Sequence, residues 1–226
     1  MSLIAKNFDL IREKIVAAAR RVHRDPEEVT LVAISKTYSA ELVREAVEAG
    51  QELFGESRVQ EALIKIPNLP GRLRWHFIGH LQSNKVRKTL PYFELIHGVD
   101  SPEIACEIER IGSELGLYPR VLLEVNVSGE GSKHGFAPEV LERKLEELLQ
   151  LPRLQVEGFM TMAPLTPDPE GARPYFAMLR ELRDRLAVGV GIPLSTLSMG
   201  MSRDFEVAVE EGATLVRVGS ALFGSR

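Results

Sequence analysis

The chain has a single cysteine, no apolar run long enough to cross a bilayer and no excess of either charge, and each shortage excludes something. With Cys106 alone, neither an internal disulfide framework nor a cysteine metal cluster can form; a reducing compartment, and so a cytoplasmic home, is the expectation. No stretch approaches the ~20 apolar residues a spanning helix needs. The first 21 residues mix Lys6, Asp9, Arg12, Glu13 and Lys14 with apolar positions, unlike a signal-peptide core, so neither export nor anchoring is expected. The 28 basic and 32 acidic residues are interspersed, with a net charge of -4, and leave no basic stripe for nucleic acid. Metal-ligand spacing is also missing. His76 and His80 straddle a strand end rather than sharing a helical face, and His97 and His134 add no pattern, so no metal is expected. Gly129-Glu130-Gly131-Ser132-Lys133 lacks the order of a nucleotide loop, which leaves Lys133 a solvent-facing role near the mouth of a site at most.

What remains is an ordinary globular composition, 44% hydrophobic and 27% charged, over 226 residues, enough for one domain (1–226) with a sizeable core. Phe8, Ile11, Ile15, Ala18, Ala19 and Val22 recur at helical spacing, predicting an amphipathic helix over 5–23 ahead of the first strand. From Leu31 onward strands and helices alternate. Strands are predicted at 31–36, 52–54, 74–79, 93–97, 120–127, 154–160, 194–199 and 215–218. Between them lie helices with recognisable ends: Ser39 as an N-cap with Gly50 beyond, Ser101-Pro102 opening a helix that stops before Gly116, and Pro138 opening another. Eight strands in this alternation predict a closed parallel (β/α)8 TIM barrel with an extra N-terminal helix. An open doubly wound sheet would ordinarily have fewer strands and a glycine-rich first turn, where this chain reads Lys36-Thr37-Tyr38-Ser39.

In such a barrel the functional face lies at the C-terminal strand ends. Lys36 ends the first strand, where lost hydration disfavours the ammonium and favours an amine that attacks aldehydes. A lone strand-end lysine would instead run to water along its methylene stem, so the other endings must decide. The seventh ends Ser198-Met199-Gly200 and the eighth Arg217-Val218-Gly219-Ser220; hydroxyls and close-approaching glycine backbone there suit an anion. Arg217 either enters the barrel mouth or anchors an ion pair. A guanidinium only donates, so opposite a pyridine nitrogen it would keep that nitrogen unprotonated.

The run Val32-Ala33-Ile34-Ser35-Lys36-Thr37 is followed by Phe54-Gly55-Glu56 with Arg58-Val59-Gln60-Glu61, and by Trp75-His76-Phe77-Ile78-Gly79-His80-Leu81-Gln82 with Asn84-Lys85. Later come Ser132-Lys133-His134-Gly135, Gly158-Phe159-Met160-Thr161-Met162, Ser198-Met199-Gly200-Met201-Ser202 and Val216-Arg217-Val218-Gly219-Ser220 with Phe223-Gly224. In these motifs and their order the chain resembles, over nearly its whole length, the pyridoxal phosphate homeostasis protein family (proline synthetase co-transcribed homologue type), related to the alanine racemase N-terminal domain barrel. The resemblance implies pyridoxal 5'-phosphate as cofactor, an internal aldimine at Lys36, a phosphate site formed by Ser198, Gly200, Gly219 and Ser220, and Arg217 facing the pyridine nitrogen. Ser57 and Ser220 depart from the asparagine and threonine common at those positions, but both keep a hydrogen-bonding side chain.

It also implies that the protein buffers or delivers the cofactor inside the cell, without robust catalysis and with no catalytic residue assigned. The racemases it resembles add a C-terminal β domain with a catalytic tyrosine, which Tyr38, Tyr92, Tyr118 and Tyr175 do not obviously replace. A monomer that meets pyridoxal-phosphate-requiring apo-enzymes is expected. The rival readings are an amino-acid racemase using the same site, a Schiff-base aldolase and a noncatalytic scaffold.

Overall fold

A computed structural model describes residues 2–131 and 133–224, and within them eight parallel strands close a barrel in chain order. They are β1 (Thr30–Ile34), β2 (Leu53–Glu56), β3 (Arg74–Phe77), β4 (Leu95–Val99), β5 (Arg120–Glu124), β6 (Gln155–Met160), β7 (Thr196–Ser198) and β8 (Leu215–Val218). The last strand returns to the first, pairing Thr30 with Leu215 and Ala33 with Val218. Closure leaves no sheet edge.

The N-terminal helix α1 (Leu3–Arg21) precedes the barrel, and α2 (Ala40–Glu48), α3 (Val59–Lys65), α4 (Val86–Thr89), α5 (Pro102–Leu115), α6 (Pro138–Leu149), α7 (Arg173–Val190) and α8 (Phe205–Glu210) follow successive strands. The predicted caps form: Ser39 Oγ accepts from Leu42 N, Ser101 Oγ accepts from Ile104 N, and Gly116 ends α5 in the left-handed region at φ 68°. After β8 the chain makes one more turn, α9 (Ser220–Phe223). There Phe223 meets Phe8 edge-on and lies 4.8 Å from the Tyr38 ring, which ties the last turn to α1 and to the loop after β1.

Several strands stop short of their predicted ends at the rim. β5 ends at Glu124 because the loop beyond it folds back: Phe136 N donates to Glu124 O and Asn126 N to Phe136 O, taking over the ladder that was predicted to run to Val127. Likewise β1 stops at Ile34, which leaves Lys36 in the turn that follows rather than on the strand.

Alternation along the strands sorts side chains into two layers. Outward residues such as Leu31, Ala33, Phe54, Trp75, Phe77, Ile96, Leu123, Phe159, Leu197 and Val216 join the core beneath the helices, and Phe8, Ile11 and Ile15 of α1 complete it. Inward, Val32, Ile34, Leu53, Leu95, Leu122, Met160 and Leu215 fill the barrel. The same inward parity carries His76, His97, Glu124, Ser198 and Arg217, all buried. Polar and apolar side chains therefore share the barrel interior, with Arg217 in register with Val32 and Ser198 with Met160 and Leu215.

Candidate functional site

The turn after β1 is held by charges that do not face the cleft. Lys65 Nζ, on α3, donates to Ser35 O at 2.8 Å, Glu56 Oε1 at 2.6 Å and Glu61 Oε1 at 2.9 Å. Ser35 Oγ donates to the same Glu56 oxygen, and Thr37 N donates to Glu61 Oε1. Thr37 sits at φ 68°, a conformation costing a β-branched residue roughly 1–3 kcal/mol, so the surrounding hydrogen bonds must enforce it. Ser35, Glu56 and Lys65 are buried. Burial pushes the Glu56 carboxyl above its ordinary range, and Lys65 and Ser35 counteract this only in part. The other carboxylate oxygen, Glu56 Oε2, is buried without a hydrogen-bond partner among the described residues. The network anchors the residues on either side of Lys36, which is half-buried at the mouth.

Lys36 lines a cleft of about 540 Å³ together with Ile34, Ile78, Met162–Leu165, Met201–Asp204, Arg217, Gly219 and Ser220. Four of the predicted site residues, Lys36, Arg217, Gly219 and Ser220, thus share one wall-to-wall space. Ser198 and Gly200 lie outside its lining. The Ser198 hydroxyl is fully buried and accepts from Arg217 Nη1 at 2.5 Å, below the cleft. Gly200, at φ 87°, has a different duty: a Cβ there would stand 2.5 Å from Ala208 Cβ, so its bare backbone lets α8 pack under the turn. A larger space of about 760 Å³ opens near Arg24, Thr196 and Thr214, at the N-terminal starts of β7 and β8, away from all of these residues.

On the cleft's polar side, the backbone N–H groups of Gly219 and Ala221 donate to Ser202 Oγ at 3.2 and 3.3 Å. Met201 N donates to Asp204 Oδ1 at 2.6 Å, and burial raises the Asp204 carboxyl. The turns after β7 and β8 are thereby pinned to each other through Ser202, a residue that sequence reading quoted in a motif but did not assign to the site. Its signal was only that it stands two residues after Gly200. Facing it, Ile78 and Met162, Ala163, Pro164 and Leu165 give the cleft an apolar wall.

Arg217 is buried and fixed at both ends of its fork, donating to Ser198 Oγ and, at 2.9 Å, to Thr161 O. Desolvation lowers its pKa to about 10, still far enough above neutrality to keep it charged, with Glu124 and Asp204 opposing the shift. Glu124 is buried too, and desolvation with the nearby Asp100 carboxylate pushes its carboxyl up to about 7. Behind Ser198 the chain of polar groups continues: His97 Nδ1 is 2.9 Å from Ser198 Oγ and His97 Nε2 is 2.9 Å from His76 Nδ1. Because Ser198 Oγ accepts from Arg217, its own proton is available to His97 Nδ1. In the tautomer where Ser198 donates to it there, His97 carries its own proton on Nε2 and donates it to His76 Nδ1. Sequence reading treated both histidines only as non-ligands. Strand parity was the missed signal, since each sits one residue out of phase with an outward aromatic or isoleucine.

Desolvation lowers the pKa of both imidazoles, that of His76 to about 4. An unfolded histidine takes its proton near pH 6.5, whereas the folded His76 resists until about pH 4. Between those values the unfolded chain binds more protons, so His76 favours folding above the window and that stability is lost as pH falls through it, by on the order of 3 kcal/mol. His76→Asn is expected to lose less stability than the parent between neutral and acidic pH. Urea unfolding of both at each pH measures the difference; equal losses would refute it.

The alanine racemase N-terminal domain family matches residues 7–226 of this chain. A pyridoxal phosphate homeostasis protein of Aquifex aeolicus is 46% identical over 217 residues, spanning 96% of this chain and 95% of that one. The solved structure of PipY from Synechococcus elongatus with PLP bound has a TM-score of 0.86 and 40% identity, covering 98% of this chain and 100% of that chain. Alanine racemase from Clostridium difficile, at 17% identity and a TM-score of 0.72, shares the fold; the match covers 99% of this chain and 56% of the racemase.

Proposed function

The chain belongs to the pyridoxal phosphate homeostasis proteins of the alanine racemase N-terminal domain family, and from that premise we propose that it binds pyridoxal 5'-phosphate at Lys36 and buffers or delivers it. The observation that carries this reading is that an amine, a charged guanidinium and the linked turns after β7 and β8 line one cleft. When bound, the cofactor supplies an aldehyde that condenses reversibly with a lysine amine.

The residues fit such a group. A Cβ at Gly219 would lie 3.3 Å from Ile34 Cβ, so the position tolerates little beyond backbone, and its N–H, which donates to Ser202 Oγ here, would turn to an anion seated against the two linked turns. Ser202, Gly219 and Ser220 would hold the phosphate, with Ser198 and Gly200 supporting it from behind through Arg217 and α8. Ile78 and Met162–Leu165 would flank the ring and exclude water. Arg217 would face the ring nitrogen as a donor only, which weakens the ring as an electron sink and suits storage over turnover. Among the described residues no tyrosine lines the cleft, and the Tyr38 hydroxyl donates to Gly224 O at 2.7 Å.

We place the protein with the cytoplasmic cofactor pool, as a monomer that passes its cargo to apo-enzymes. No described helix is long and apolar enough to cross a membrane. The deciding experiment is an absorbance spectrum of the purified protein before and after incubation with pyridoxal phosphate, followed by borohydride reduction and peptide mass mapping. A visible band trapped on Lys36 is expected; no band and no adduct would refute the reading, and an adduct formed only with a phosphorylated sugar would favour the aldolase. Gly219→Val should weaken pyridoxal phosphate binding by about tenfold or more while leaving that of unphosphorylated pyridoxal nearly unchanged. Titrations followed at the visible band test this, and equal losses for both ligands would remove Gly219 from the phosphate site.

A further inference from the structure

His80, Asp100 and His134 come from three different rim loops, after β3, β4 and β5, and converge on the side of the mouth opposite the turns after β7 and β8. His80 Nδ1 lies 2.7 Å from Asp100 Oδ2, and His134 Nδ1 lies 3.4 Å from the same oxygen. The two imidazoles stack with centroids 4.1 Å apart and planes 15° from parallel. The Asp100 carboxylate is largely buried, with a side-chain exposure of 8%, while both rings reach solvent. Beside them a cleft of about 540 Å³, lined by His80, Asp100, Ser101 and Glu103 among others, gives small solutes access.

Two rings present the same kind of nitrogen to one largely buried carboxylate oxygen. As Nδ1–H tautomers both would donate to it; with the ring protons on Nε2, the two Nδ1 lone pairs and the carboxylate oxygen instead make a three-atom donor set for a divalent ion. We propose that His80, Asp100 and His134 form a binding site for a divalent transition-metal ion of the Zn²⁺ type, separate from the Lys36 cleft.

Two imidazoles and one carboxylate suit zinc and its neighbours in preference to Mg²⁺ or Ca²⁺, which take oxygen ligands. Tetrahedral zinc with bonds of about 2.1 Å spaces its ligand atoms by about 3.4 Å. His134 and Asp100 already have that spacing; the exposed His80 ring needs to retreat by roughly 0.7 Å and to turn out of its stack with His134, because each nitrogen lone pair lies in its ring plane and both must point at one ion. Water from the adjoining cleft would take the fourth position. Spacing along the chain hid the site, because the ligands belong to separate loops and meet only when the barrel closes.

The test is calorimetric titration of the chelator-stripped full-length protein with ZnCl₂, in a Cys106→Ser background because that thiol is exposed. One saturable equivalent is expected at about pH 7.5, weaker at about pH 5.5 because imidazole must be neutral to bind, and MgCl₂ should give none. His80→Ala, His134→Ala and Asp100→Asn should each weaken Zn²⁺ binding by about tenfold or more. The histidines are exposed, and thermal melts followed by circular dichroism verify that their variants fold. Lys36→Ala should bind Zn²⁺ like the parent, so failure of the cofactor reading is distinguishable from failure of this one. Absence of a saturable equivalent, or a smaller loss in the His80→Ala/His134→Ala double variant, overturns the proposal.

Discussion

Replacing Lys36 with alanine is expected to abolish the visible band and the borohydride-stable adduct, and to weaken retention of pyridoxal phosphate by about a hundredfold. The turn that carries Lys36 is fixed through its neighbours, by Lys65 on the Ser35 carbonyl and Glu61 on the Thr37 amide, so truncating the side chain leaves the loop in place. The phosphate contacts proposed for Gly219, Ser220 and Ser202 would survive in the variant, which should keep weak, colourless binding driven by the phosphate. Equilibrium dialysis beside absorbance separates covalent from noncovalent retention. A variant that still holds the cofactor as tightly as the parent would remove Lys36 from its assigned role, whatever the colour.

Lys65→Met should be the more damaging change to the fold. It strips the ammonium from a buried position where it serves Glu56, Glu61 and the Ser35 carbonyl at once. Removing one partner of a buried ion pair costs about 3–5 kcal/mol because the other charge is left without compensation. For a chain of this size that corresponds to a fall in melting temperature of roughly 6–20 °C. Glu56 already has one oxygen without a partner among the described residues, so its carboxyl has little left to fall back on. Pairing the change with Glu56→Met removes the orphaned charge and should recover a large part of the loss. Thermal melts of the single and double variants decide: a single variant as stable as the parent, or a double variant worse than the single, contradicts the account. Lys65 does not line the Lys36 cleft, so weaker cofactor retention in a folded Lys65→Met sample would show that the Thr37 turn positions Lys36.

The two experiments probe one arrangement from opposite sides. In the proposed reading Lys36 would provide the chemistry at the rim, while Lys65, through the Ser35 carbonyl, Glu56 and Glu61, fixes the turn that carries it. Along the chain the two differ in setting: Lys36 follows an apolar strand, whereas Lys65 ends α3, four residues after Glu61. In the structure Lys65 is the more buried of the two, because α3 turns that face onto Glu56 and the Ser35 carbonyl.

The amino-acid sequence by itself determined the alternation of strands and helices, and with it the closed barrel, since eight apolar strands separated by amphipathic helices have few other ways to bury both faces. It also determined which residues stand near the strand ends, and so brought Lys36, Arg217, Gly219 and Ser220 to one end of the barrel. Tertiary structure alone decided what happens across the barrel: that Ser198 turns down to Arg217 and His97, that Ser202 joins two turns, and that His80 and His134 meet at Asp100. Periodicity reports which face of its own element a residue occupies. Pairings between distant elements depend on the radius and register of the closed sheet, and no local pattern carries that information.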